Sequence, residues 1–108
     1  MHIKFDEYIL REFFESEPVC IGGFETGMYL YSLEKNDFKI VFSVNIYACK
    51  IGASISRNEK IIFSGNFREV SEIKESDKNA LRIITKNGDI ILKKNQQLGL
   101  ILEENDRN

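Results

Sequence analysis

Phe38-Lys-Ile-Val-Phe-Ser-Val-Asn-Ile46 decides the fold. Phe38, Ile40, Phe42, Val44 and Ile46 occupy alternate positions, so a pleated strand turns all five to one face, and that face has to be core. Immediately downstream the apolar set becomes Cys49, Ile51, Ala53 and Ile55, a change of parity by one residue. A β-bulge or sharp bend near Tyr47-Ala48 keeps both sets facing inward, since an unbroken strand would expose one of them.

The same period of two continues on either side. Upstream, Met28-Tyr-Leu-Tyr-Ser-Leu33 is rich in strand formers and Glu34-Lys-Asn-Asp37 is a turn. Downstream, Ser56-Arg-Asn-Glu59 closes a hairpin into Lys60-Ile-Ile-Phe-Ser64. Phe67, Val70 and Ile73 stand three apart, which suits a helical turn or a bulged strand, and a strand is the expectation for 67–75. Glu75 to Asn79 turns the chain into Ala80–Thr85, and Asn87-Gly88 is a two-residue hairpin signal pairing that strand with Asp89–Lys93. A last strand spans Leu98–Leu102, and the tail 103–108 is expected to fray.

Before the strands, Phe5-Asp-Glu-Tyr-Ile-Leu-Arg-Glu-Phe-Phe-Glu-Ser16 has helical periodicity. Ile9, Leu10 and Phe13 share one side, while Glu7, Arg11 and Glu15 line the other at successive i, i+4 steps. Asp6 is the expected N-cap, and Pro18 forbids continuation. The predicted fold is therefore mainly β, an antiparallel β-sandwich or barrel-like meander of seven to eight strands with one N-terminal α-helix. It forms a single domain over 1–108, with the helix at about 6–16, the strands at about 19–102 and a frayed tail at 103–108.

A chain of 108 residues, 43% apolar and 30% charged, has room for one hydrophobic core. No apolar run reaches the length of a membrane span and the start, MHIKFDEY, lacks the apolar stretch of a signal peptide, so a cytoplasmic location without membrane association is expected. Cys20 and Cys49 each lie among apolar neighbours, outside any CxxC or Cys/His cluster, and in a reducing compartment are expected as free thiols.

Charge is distributed unevenly behind a net value of −2. Residues 1–37 carry eight acids against three bases, and residues 38–94 carry eleven bases against six acids. An acidic N-terminal third repels nucleic acid and complements a positively charged partner. The bases after residue 60, Lys93-Lys94 included, read as solvated strand faces, because the interleaved aromatics used for stacking on single strands are absent there.

Chemistry-bearing constellations are scarce. The one histidine, His2, sits at the terminus, which argues against a Ser-His or Cys-His pair, and no convergent ligand set suggests a metal. No enzymatic activity and no cofactor are expected. Val19-Cys-Ile-Gly-Gly-Phe-Glu-Thr-Gly27 resembles a phosphate loop only in its glycines, since Glu25 and Thr26 follow them and a strand, not a helix, comes next. Two readings of the loop stand: a flexible entry with Phe24 tucked inward, or an aromatic anchor beside Glu25 at a protein interface. Tyr29 and Tyr31 alternate to one side of their strand and are expected to pack half-buried.

An acidic helix FDEYILREFFESEP, followed by antiparallel strands ending in KNGDIILKKNQQLGLILEE, resembles the small immunity proteins of bacterial polymorphic-toxin systems. In plan it is most similar to the β-sandwich immunity proteins of contact-dependent growth inhibition, over nearly the whole chain. The resemblance implies a non-catalytic protein that binds the C-terminal domain of a cognate toxin, often a basic RNase or DNase, and covers its active site. The acidic excess fits that role independently and nominates Glu7, Glu15, Glu17, Phe24, Glu25, Glu34 and Asp37 as partner-binding residues. Two other classes remain open: a small barrel whose Phe38-to-Ile46 set lines an apolar ligand cavity, and a structural subunit pairing through a sheet edge.

Overall fold

A computed structural model describes residues 2–23, 26–35, 37–77 and 79–94, and the backbone of the strand at 98–104. Asp6 caps the helix as the sequence predicts, its carboxylate accepting from the Tyr8 amide at 2.9 Å. Helix α1 runs Glu7–Phe14, shorter than expected, because Glu15 takes a left-handed conformation (φ 56°) that ends it. The described residues form ten strands: β1 Lys4–Phe5, β2 Val19–Cys20, β3 Met28–Lys35, β4 Phe38–Asn45, β5 Lys50–Arg57, β6 Lys60–Phe67, β7 Val70–Asp77, β8 Ala80–Thr85, β9 Gly88–Lys94 and β10 Leu98–Glu104. Eight are full strands, and the two short ones, β1 and β2, escaped the sequence reading.

The strands make two five-stranded sheets, β2-β3-β4-β5-β6 and β1-β7-β8-β9-β10, so the fold is a sandwich and not a closed barrel. Neighbours are antiparallel except β1, which runs parallel to β7. The helix carries the chain from β1 at the edge of one sheet to β2 at the edge of the other. The parity change is resolved by a reverse turn at 46–49: Asn45 pairs with Lys50, and Cys49 is left-handed (φ 55°). Both apolar sets then point inward, Ile40, Phe42 and Val44 beside Ile51, Ala53 and Ile55. Tyr31 and Leu33 join them, and Val70, Ile73, Leu81, Ile83, Ile90 and Leu92 of the second sheet complete the core.

Several local expectations are corrected. The β8–β9 hairpin turns on Lys86-Asn87, with Thr85 opposite Gly88, one step earlier than the Asn-Gly signal. The Thr85 hydroxyl holds that register by accepting from the Asn87 and Gly88 amides, each at 3.2 Å. Phe67 ends β6 and a left-handed Glu69 separates it from β7, while within β7 a register shift between Val70 and Glu72 is the bulge that lets both Val70 and Ile73 face inward. Glu103 and Glu104 pair with Asp89 and Gly88 as part of β10, not as a frayed tail, and 105–108 lie outside the described residues.

Lys94 is also not a solvated lysine. It takes the inward parity of Ile90 and Leu92, is 8% exposed, and donates to the Phe13 carbonyl at 2.5 Å with Glu12 O at 3.4 Å. Its ammonium lies 5.1 Å from the centre of the Phe13 ring and 3.4 Å from a Glu15 carboxylate oxygen. A cation at the last carbonyls of a helix complements both their unpaired acceptors and the helix dipole.

Two results are expected from denaturant melts. Phe42→Ala should cost about 3–5 kcal/mol and Ser43→Ala far less; equal costs would show that the inward face is misassigned. Lys94→Ala should cost about 2–4 kcal/mol by leaving the helix-end carbonyls unmatched, whereas Lys93→Ala should stay within about 0.5 kcal/mol.

Candidate functional site

The two sheets present different outer faces. On the β7-β8-β9 side, Glu72, Lys74, Arg82, Asp89 and Lys93 alternate outward, and Arg82 bridges to Asp89 at 2.8 Å. The outer face of the β2-to-β6 sheet has no charge at its centre. One cross-strand row there reads Val19, Leu30, Ser43, Gly52 and Asn66, and the next Ser32, Val41, Ser54 and Ser64.

At the end of this face where β4 meets β5, a groove of about 340 Å³ is lined by Ile21 and Met28, by Ser43, Asn45 and Asn66, and by Lys50 and Arg68. Gly52 keeps its floor open: a Cβ there would stand 2.7 Å from the Ser43 hydroxyl and 2.9 Å from the Asn66 side-chain oxygen. The surrounding loops are pinned. Ile46 N donates to Gly27 O at 2.9 Å, Ile3 N to Ile46 O at 3.0 Å and Val70 N to Cys49 O at 2.9 Å. Gly27 is left-handed (φ 67°), and the Tyr47 ring lies so close that a Cβ would come within 2.7 Å of it. Ile21 and Met28 are large apolar side chains left exposed in this groove, and Val19 and Tyr47 are exposed as well.

The opposite end of the same face carries charges of both signs. Glu34, Asp37 and Glu59 border a hollow of about 270 Å³ with Lys39, Ser56 and Asn58. Seven strand steps separate the two ends, roughly 23 Å.

The sequence-nominated residues that are described fall on that end and along the helix. Glu34 lies 3.6 Å from Lys39 and Asp37 3.0 Å from Arg57; on the helix flank Glu7 faces Arg11 at 3.8 Å and Glu15 faces Lys94 at 3.4 Å. Glu17 is exposed with no ion pair among the described residues. The Ser16 hydroxyl donates to Ser32 O at 3.3 Å, which ties the segment bearing Glu15 and Glu17 to β3, two residues ahead of Glu34. Phe24 and Glu25 lie outside the described residues, although Ile21 and Met28, on either side of them, both line the groove. Cys20 and Cys49 are free and partly buried.

This arrangement has a solved counterpart. The chain superposes on one from "Contact-dependent growth inhibition toxin - immunity protein complex from Klebsiella pneumoniae 342", with a TM-score of 0.79 and 21% identity, over 95% of this chain and 98% of that one. The two chains share a fold. No protein-family model matches the sequence, and no curated protein matches it either.

Within this fold the helix end of β3 carries two perturbed phenols. Burial, and next the Glu7 carboxylate, push Tyr31 up to about 12 and raise Tyr29 as well. Tyr31, expected half-buried, is 1% exposed, and its hydroxyl has no hydrogen-bond partner among the described residues. An unfolded phenol ionises near pH 10, so between about 10 and 12 the unfolded chain holds fewer protons than the folded one. Stability attached to Tyr31 is thus fully present below pH 10 and lost as pH rises toward 12. Tyr31→Phe should flatten that alkaline loss in urea melts. At pH 7 it should be neutral or stabilising by up to about 1 kcal/mol, since it removes an unpaired buried hydroxyl.

Proposed function

We propose that this chain is the immunity component of a bacterial contact-dependent growth inhibition system, a non-catalytic cytoplasmic protein that binds a cognate toxin domain and neutralises it. The observation that carries the reading is the full-length correspondence, 95% of one chain on 98% of the other, with a chain of a toxin–immunity protein complex. Of the two components so described, the inhibitor suits this sequence. Its one histidine, His2, is exposed at the N-terminus, and its charge is arranged in surfaces and not in a catalytic cluster.

In the finer form of the proposal, the toxin is a basic RNase or DNase. Acids at the Glu34–Asp37 end and along the Glu7, Glu15, Glu17 flank, with Phe24 and Glu25 of the β2–β3 loop, cover its cationic cleft. Internal pairing of Glu7, Glu15, Glu34 and Asp37 weakens their field, so Glu17 should contribute most per residue among the described acids.

The test is titration of the isolated cognate toxin domain against this chain, read as toxin activity at two salt concentrations. Native chain should inhibit stoichiometrically. Glu17→Lys and Glu34→Lys should slow association, and the slowing should shrink at high salt; Phe24→Ala should speed dissociation by about 2 kcal/mol or more if that ring is an anchor. Failure of the native chain to bind or inhibit would remove the immunity reading. Unchanged kinetics for the acid reversals would remove only the acidic surface.

A further inference from the structure

We infer that the groove beside Lys50 and Arg68 is the docking site for a short acidic segment of the partner protein, an inference that builds on the immunity reading. Charge is the first argument. Six ion pairs neutralise cations among the described residues, at Arg11, Lys39, Arg57, Arg82, Lys86 and Lys94. Lys50 and Arg68 take part in none of them, both are exposed, and among the described residues no acid lines the groove they share. Such a site is the electrostatic complement of a carboxylate.

The hydrogen-bonding groups agree. Asn45 accepts from the Ala48 amide through its side-chain oxygen at 3.1 Å, which leaves its NH₂ as a donor to a ligand. The Ser43 hydroxyl stands over the open floor at Gly52 and adds a second donor. Backbone geometry fixes the two cations in place. Lys50 follows Cys49 and Arg68 precedes Glu69, both left-handed at φ 55°, and the carbonyls of these two residues are held by the Val70 and Lys86 amides at 2.9 and 3.2 Å. Each basic side chain therefore leaves from a pinned kink at a strand end and not from a free loop.

A protein segment fits better than a nucleic acid. Two cations do not make the basic track that follows a phosphate backbone. Exposed Met28 and Ile21, both lining the groove, supply apolar contact for side chains flanking a carboxylate.

Two arms test this. In the first, the ¹⁵N-labelled chain alone is titrated with a peptide of four glutamates around one phenylalanine, with the corresponding lysine peptide, and with a thymidine oligonucleotide. The acidic peptide should shift the amides of Ser43, Asn45, Lys50, Gly52 and Arg68 saturably, and a Lys50→Gln, Arg68→Gln double variant should bind it at least tenfold more weakly. Absence of saturable shifts there, or tighter binding of the oligonucleotide at the same amides, overturns the proposal. In the second arm, Lys50→Glu and Arg68→Glu should each weaken the toxin complex at least tenfold, while Lys74→Glu on the other sheet should stay within twofold. Toxin binding unchanged in the groove variants overturns the proposal and leaves the immunity reading intact. A native chain that takes the acidic peptide but no toxin supports the groove and removes the immunity reading.

Discussion

Phe14 holds this fold together. Its ring stacks on Tyr31 at 5.2 Å and on Phe42 at 5.5 Å, and Phe13 meets it edge-on at 5.0 Å. A two-sheet sandwich of this size has an open flank wherever its edge strands are short, and here β1 and β2 contribute two residues each. The eight-residue helix between them is too short to persist in water by itself, so its order comes from seating Phe13 and Phe14 in the core. Lys94 then locks the helix end to β9 from the other sheet. Loss of this aromatic contact would free the helix, and with it the segment that places Glu15 and Glu17 beside β3.

What the sequence reveals is local, and what it conceals is non-local. Alternation in 38–46 identified the inward face of β4 without ambiguity, and Asp6 with its apolar stripe located the helix start, because both signals lie within a few residues. Lys94 was legible in principle. In Ile90-Ile-Leu-Lys-Lys94 the inward parity runs Ile90, Leu92, Lys94, but a lysine pair near a strand end looks solvated until a helix terminus is known to lie over it. Asn87-Gly88 misled for a similar reason. The turn shifts by one residue because the Thr85 hydroxyl satisfies its amides.

The site was less legible than the fold. Val19, Met28, Asn45, Lys50, Asn66 and Arg68 come from five strands and a link between sheets, and only the register unites them. Tyr47 gave no sequence signal as an anchor, since it reads as one turn residue among others until Gly27 is seen packed under its ring. The β6 edge shows how such exposure is managed. Ile61 and Ile62 are exposed on an edge strand, a pattern that invites strand addition. Ile55 pairs with Phe63 and Ser56 with Ile61, so Ile62 is an extra residue whose bulge twists the edge away from flat pairing. The same consideration weakens edge pairing as the chain's purpose.

Charge counted along a sequence is not the potential a partner meets. The acidic N-terminal third holds eight acids, yet four of the five nominated acids that the structure describes already face a cation within 4 Å. Three of those cations, Lys39, Arg57 and Lys94, come from the basic middle of the chain, so folding mixes the two blocks and cancels most of the contrast between them. What survives is set by the pairs that do not form. Lys50 and Arg68 are in no such pair, and they stand beside left-handed Cys49 and Glu69 at the end of the sheet away from Glu34 and Asp37. The place of Lys50 in the groove is thus a product of strand register, and a one-residue slip in β5 would turn it inward while leaving the composition unchanged.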